Sequence, residues 1–210
     1  METSGTEFRE PVLNGRQIYL RPVTLDDYNA IRMLDLGEAL GVRWRFRGAT
    51  PTPEQWAQAG ATQLAHFLIV RRSDNGPIGA ATAYQQNFQD QYAYLAATAF
   101  NPTQRNPLVI LGISLFIDYT FRCWNFRKLY MEMPAFNLGQ FGRGVGRMLV
   151  EEARLREHMY YDGRYWDKVT LALYRETWEA RSARLMTAAL PPPTSRVTLR
   201  LPEDRHGTAR

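Results

Sequence analysis

Apolar and polar positions alternate through residues 16–23, with Ile18 and Leu20 on one side, Tyr19 and Arg21 on the other, and Pro22 near the end. A period of two predicts a strand. Thr24, with Asp27 three residues on, marks a helix start. Tyr28, Ile31, Met33 and Leu34 give that helix an apolar face before Gly37 and Gly41 end it. Thr52 and Pro53 open a second helix as N-cap and first helical position, expected to run to about His66. Strands are predicted over 67–71, 78–84 and 92–100, the first two joined by an Asn75-Gly76 turn, and all three as antiparallel neighbours. After a polar turn over 101–106, Pro107 opens a long apolar helix that ends near Trp124, and 129–133 forms the next strand. This is a strand–turn–helix–strand unit of the βαβ kind. Its turn can hold an anion, because the first helical N–H groups are unpaired and the helix dipole favours negative charge.

Downstream, Gly139, Gly142, Gly144 and Gly146 exclude a robust helix and predict a loop or a single turn. A long strand over 147–160, a hairpin turn over 161–164 and a returning strand over 166–174 follow. A helical pattern over 176–190 is stopped by Pro191, Pro192 and Pro193, and 197–201 could add a short strand. The order predicts an α/β (α+β) domain with a sheet of mixed direction. Its expected bounds are 16–190, between a flexible N-terminus at 1–15 and a Pro-rich tail at 191–210.

Composition narrows the picture. A chain of 210 residues with 45% hydrophobic residues fits one domain with a sizeable core. The longest apolar run, 108–117, is broken by Gly112 and Ser114 and is too short for a bilayer. The charged N-terminus has no apolar segment of the secretory kind, so a cytoplasmic location is expected. The single cysteine, Cys123, excludes an internal disulfide framework and reads as a core residue near a helix end. The net charge of +5 is compatible with anionic ligands. The basic residues are spread along the chain, however, and only Lys128 and Lys168 are lysine, which argues against a nucleic-acid stripe. No His/Cys/Asp cluster has metal spacing, and no metal is predicted.

The element order, together with several residues at their places in it, resembles the GNAT N-acetyltransferase superfamily, with the closer likeness to its RimJ/RimL-like branch. The residues that carry the resemblance are Leu20-Arg-Pro-Val-Thr-Leu-Asp-Asp27, Ile78-Gly79, Pro102, Gln104, Arg127-Lys-Leu129, Asn137, Leu155-Arg-Glu-His158, Asp162-Gly163, Asp167 and Glu176-Thr-Trp178. It implies a splayed central sheet of six to seven strands flanked by helices, and acetyl-CoA as co-substrate. In this family the pantetheine arm lies between two splayed strands. Here that points to Thr98, Ala99 and Phe100. The pyrophosphate turn has the family pattern Gln/Arg-x-x-Gly-x-Gly/Ala and falls on Gln104, Arg105, Asn106, Pro107, Leu108 and Val109. Gln104 matches. Pro107 and Val109 replace the small residues, which removes one N–H donor and obstructs close approach of a phosphate. Arg105 could supply the charge instead. Asn137 is implied in both donor binding and catalysis. The Ser or Tyr that often follows it as a general acid is replaced by Gln140 and Gly144.

Direct acetyl transfer needs a deprotonated amine held near a thioester, and a base helps. The strand over 92–100 has no interior carboxylate. Glu132 is the best replacement, with Tyr94 and His158 after it. Against this, Glu132 could simply pair with an arginine, and Tyr94 could be a sheet-face aromatic. The implied function is an acetyl-CoA-dependent N-acetyltransferase acting on a primary amine, either a protein N-terminus or a small molecule. The alternatives keep the fold: an enzyme taking its acyl group from a carrier protein or aminoacyl-tRNA, or a non-catalytic binding module. Trp44, Phe46, Tyr160, Tyr161 and Trp166 would suit a ring-bearing acceptor or equally a dimer interface, and a monomer or homodimer is expected.

Overall fold

A computed structural model describes residues 13–35, 49, 51–101 and 106–191. Its centre is one eight-stranded sheet. In chain order the strands are β1 (Leu13–Asn14), β2 (Ile18–Pro22), β3 (Ala65–Arg71), β4 (Pro77–Asn87), β5 (Tyr92–Ala99), β6 (Lys128–Pro134), β7 (Leu149–Tyr161) and β8 (Arg164–Tyr174). Their spatial order is β1-β2-β3-β4-β5-β6-β8-β7. Helices α1 (Leu25–Asp35), α2 (Pro53–Ala61), α3 (Pro107–Cys123), α4 (Arg175–Arg181) and α5 (Ala183–Ala189) flank it. The predicted strand order holds. The two-residue β1 is an addition that no periodicity could announce.

Several boundaries differ for local reasons. His66 does not end a helix; α2 stops at Ala61, and His66 sits in β3 opposite Thr82, beside the rings of Tyr28 and Trp56. The helix predicted over 176–190 is two short helices, divided at Ser182. The glycine-rich loop forms two 3₁₀ turns, Ala135–Gln140 and Gly142–Gly144. Cys123 is exposed, not a core residue, because it ends α3 on the solvent side. The side chains of Met33 and Leu34, the loop aromatics Trp44 and Phe46, and residues 197–201 lie outside the described residues.

Each sheet face has its own core. One face buries Ile69, Ala81, Ala83, Leu95, Leu129, Met131 and Leu171 against α3, which contributes Val109, Leu115, Phe116 and Phe121. The other buries Leu68, Val70 and Ala80 beneath Ile31 of α1 and Trp56 of α2. Gly112 lets α3 lie close to the sheet, since a Cβ there would stand 2.4 Å from Ile69 Cγ2.

Helix α1 starts as predicted. Asp27 accepts from the Thr24 N–H at 2.8 Å and the Thr24 hydroxyl at 2.7 Å, and from both terminal nitrogens of Arg21 at 2.6 and 2.8 Å. The Arg21 guanidinium holds the Asp27 carboxyl down from 3.8 to about 2. A depressed carboxyl stabilises the fold above its ordinary range, and that contribution is lost as pH falls through about 2. Asp27→Asn is expected to cost about 1–2 kcal/mol at neutral pH, as for a partly exposed bidentate pair with a cap. Urea melts of the two proteins should differ at pH 7 and converge near the acid end.

The C-terminus of α3 is closed by Arg175. Its Nε donates to Phe126 O, Nη1 to Phe121 O and Nη2 to Trp124 O, each at 2.7 Å. One planar fork thus satisfies a carbonyl in the last turn of α3, one at its C-cap and one in the turn before β6, and fixes how the chain enters β6. Arg175→Ala should destabilise by about 2–4 kcal/mol in urea unfolding, and Arg175→Lys should recover less than half, since an ammonium cannot span three acceptors.

Candidate functional site

All neighbouring strand pairs are antiparallel except β5 and β6, which run parallel. Their ladder pairs Tyr92 with Lys128, Ala93 with Leu129 and Tyr94 with Tyr130, and ends there. Both strands continue. Strand β4 holds β5 as far as Ala99, and β8 holds β6 as far as Pro134. The seam between them therefore opens beyond Tyr94 and Tyr130 while each half-sheet stays intact. Strand edges that face a gap carry peptide groups needing a partner, so a ligand with amides of its own can replace the ladder.

The direction of those peptide groups follows from one bond. The Phe100 N–H donates to Ile78 O at 3.0 Å, so Phe100 faces β4. No register shift intervenes back to Tyr84. By the alternation of an antiparallel ladder, Thr98 also turns its backbone to β4, whereas Ala97 and Ala99 turn theirs to the gap. Of the three residues assigned to the donor arm, Ala99 presents its backbone to the seam; Thr98 and Phe100 shape it from behind. Ala97 joins it, a position that no side-chain pattern could reveal. Strand β4 comes very close here: a Cβ on Gly79 would stand 2.6 Å from Thr98 O and 3.4 Å from Val109 Cγ1.

Gln104 and Arg105 lie outside the described residues. The rest of the turn is committed to starting α3. Asn106 is the N-cap, and its Oδ1 accepts from the Leu108 N–H at 3.0 Å. The Val109 N–H donates to Asn106 O at 3.1 Å, and Pro107 has no N–H to give. Val109 is buried in the core. A phosphate at these first positions must displace the Asn106 side chain or take its donors from elsewhere.

On the side of the sheet away from α3, the mouth of the seam is aromatic and ionic. Tyr94 packs on Tyr84 at 5.8 Å, Tyr130 at 5.3 Å and Tyr92 at 6.1 Å between ring centres. Burial, then the neighbouring charge of Glu132, pushes the Tyr94 hydroxyl up from its usual value, so it keeps its proton at neutral pH. Glu132 lies two residues past the last paired position. Its partner is not an arginine: Lys168 Nζ donates to its Oε1 at 2.8 Å, with the Thr170 hydroxyl at 3.4 Å. Before the fork, Lys128 Nζ contacts Glu152 at 2.9 and 3.1 Å and lies 4.6 Å over the Tyr130 ring. Glu152 also accepts from the Tyr130 and Tyr174 hydroxyls. Burial would lower Lys128, but Tyr130 and Glu152 outweigh it and hold it above the usual lysine value. None of this cluster except Glu132 and Tyr94 was singled out from sequence as chemical, because β7 and β8 meet β6 only in the folded sheet.

Asn137 is buried in the first 3₁₀ turn, and its Oδ1 accepts from Gln140 Nε2 at 3.1 Å. Phe136 anchors that turn to the β7–β8 hairpin, 4.7 Å from Trp166 and 5.6 Å from Tyr161. Trp166 and Tyr161 thus have a place beside the loop that follows β6. Tyr160 is exposed, and His158 lies on the exposed strand β7, away from the seam. Among the described residues no helix is long and apolar enough to cross a membrane.

No protein-family model matches the sequence, and no curated protein does. Solved structures do. Mycobacterium smegmatis RimJ in complex with CoA-disulfide superposes with a TM-score of 0.67 at 16% identity, over 85% of this chain and 95% of that one. Spermidine N-acetyltransferase from Vibrio cholerae, in complex with CoA and spermine, does so with a TM-score of 0.66 at 18% identity, over 78% and 98%. A GNAT-family acetyltransferase from Bacillus anthracis gives 0.61 at 13% identity, over 79% and 99%. The chain has the GNAT acetyltransferase fold.

Proposed function

We propose that the protein is an acetyl-CoA-dependent N-acetyltransferase acting on a primary amine. The observation that carries this reading is the parallel β5–β6 seam, opened beyond Tyr94 and Tyr130, with a carboxylate and a protonated phenol at its mouth. An extended arm with amide groups fits against the backbone of Ala97 and Ala99. Its thioester then lies near the fork. The amine gives a proton to Glu132 and attacks the thioester carbon; the C–N bond forms, the C–S bond breaks, and the thiolate takes a proton from Tyr94. Proximity supplies much of the rate. Asn137 buttresses the loop that borders the donor's reactive end. Arg105 and Gln104 carry the pyrophosphate, with Asn106, Pro107, Leu108 and Val109 as the helix end behind them.

A second reading is favoured by one feature: Asn106 already occupies the Leu108 and Val109 donors. A donor anchored elsewhere, such as an acyl group on a carrier protein or aminoacyl-tRNA, would not need them. Release of the donor's leaving group, a thiol from CoA or an acyl carrier and the free tRNA from an aminoacyl-tRNA, separates the two. Purified protein is mixed with acetyl-CoA and a set of primary amines, beginning with spermine, the ligand of the Vibrio structure. Amine-dependent release of CoA supports the first reading. Release only from an acyl carrier or aminoacyl-tRNA supports the second, and release from none leaves a binding module.

A further inference from the structure

Of 26 basic residues, only Lys128 and Lys168 are lysine. Both fall on the same sheet face at the same seam, each against a glutamate. They are not equivalent. Lys128 is paired in register with Tyr92, on the closed side of the fork. Both oxygens of Glu152 and two tyrosine rings enclose it, leaving 9% of its side chain exposed. Lys168 is paired with Pro134 at the far end of β6, on the open side, and its ammonium reaches back to Glu132. Glu132 stands about 7 Å along β6 from the last paired residue, two residues at strand rise.

We propose that Lys168 is itself an acetyl acceptor, a site of self-acetylation. This rests on the acetyl-CoA reading above. An acceptor needs a primary amine, a base in hydrogen-bond contact with it, and a thioester within reach. Lys168 meets the first two in the folded protein without any further ligand, and the fork brings the third. The ammonium gives a proton to Glu132. The free amine attacks the thioester carbonyl carbon, forming the C–N bond of an amide. The C–S bond breaks, its electron pair leaves with sulfur, and the CoA thiolate takes a proton from Tyr94. The second proton shed by the nitrogen as the amide forms restores the Tyr94 hydroxyl, while Glu132 returns its proton to solvent. One acetyl group moves and nothing is oxidised or reduced. The product has no charge at residue 168, so Glu132 loses its internal cation and faces the seam ready for the ammonium of an external acceptor. Lys168 thus caps the acceptor position until the first turnover.

The test is intact-mass and peptide mass spectrometry of the full chain after incubation with acetyl-CoA and no amine, with acetyl-CoA binding measured calorimetrically on the same sample. The expected result is one acetyl group on Lys168, none on Lys128, no modification at 168 in Lys168→Arg, and at least tenfold slower modification in Glu132→Gln. Binding with Lys168 unmodified overturns this inference alone. Acetylation confined to Lys128 or the α-amino group, or equal rates in wild type and Glu132→Gln, overturns it too, as chemistry independent of the base. Failure to bind acetyl-CoA overturns both this inference and the reading beneath it.

Discussion

Gly79→Ala is expected to destabilise the protein by about 1–3 kcal/mol, the range for overpacking a tight interior contact, and to weaken acetyl-CoA binding at least tenfold. The two effects have one origin. The added Cβ would stand 2.6 Å from the Thr98 carbonyl oxygen. That obstacle is backbone and cannot rotate aside, so β4 and β5 must separate. Any separation shifts Ala97 and Ala99, whose peptide groups face the seam. Toward α3 the added Cβ makes only an ordinary contact, 3.4 Å from Val109 Cγ1. Gly139→Ala is the control, since a Cβ there meets nothing within 4 Å. Urea unfolding and calorimetry on both variants check the result. A Gly79→Ala protein that is destabilised yet binds acetyl-CoA as wild type does would separate β5 from the donor.

Glu132→Gln is expected to lower kcat for amine acetylation by about 10²–10³-fold, within the usual worth of a general base, while leaving acetyl-CoA affinity unchanged. Glutamine keeps the shape and can still accept from Lys168, so the sheet should survive. What disappears is the ability to take a proton from the incoming amine. Lowered kcat with unaltered stability would identify a group that acts in the reaction. A change in stability with kcat intact would make Glu132 only the partner of Lys168 in a structural ion pair.

The residues that specify β2 to β8 are readable in advance because each of these strands is an alternating or apolar run bounded by recognisable turn or helix-start chemistry. Asp162 and Gly163 both take positive φ, 51° and 75°, as a tight hairpin demands, and the Asp-Gly pair announced it. The helix-start pairs at Thr24 and Thr52 are of the same local kind. What was not legible is non-local. Lys168 meets Glu132 across thirty-six positions of sequence, and Glu152 meets Lys128 across twenty-four. No spacing rule connects them until β8 is laid beside β6. Nor does sequence say which edge of β5 turns its peptide groups to the gap, because that depends on register with β4. The Pro107 and Val109 substitutions were visible, but their consequence was only half visible: the Asn106 side chain caps α3 by accepting from the Leu108 N–H, which takes up a further donor of the helix end.

Calorimetric titration of the full chain with acetyl-CoA at moderate salt, with CoA as the competing ligand, tests the acetyl-CoA reading most directly. Saturable binding at micromolar strength, displaced by CoA and weakened by Arg105→Ala, is the expected result. No heat and no saturation at millimolar acetyl-CoA would contradict it, and would leave the open seam to a different donor or to none.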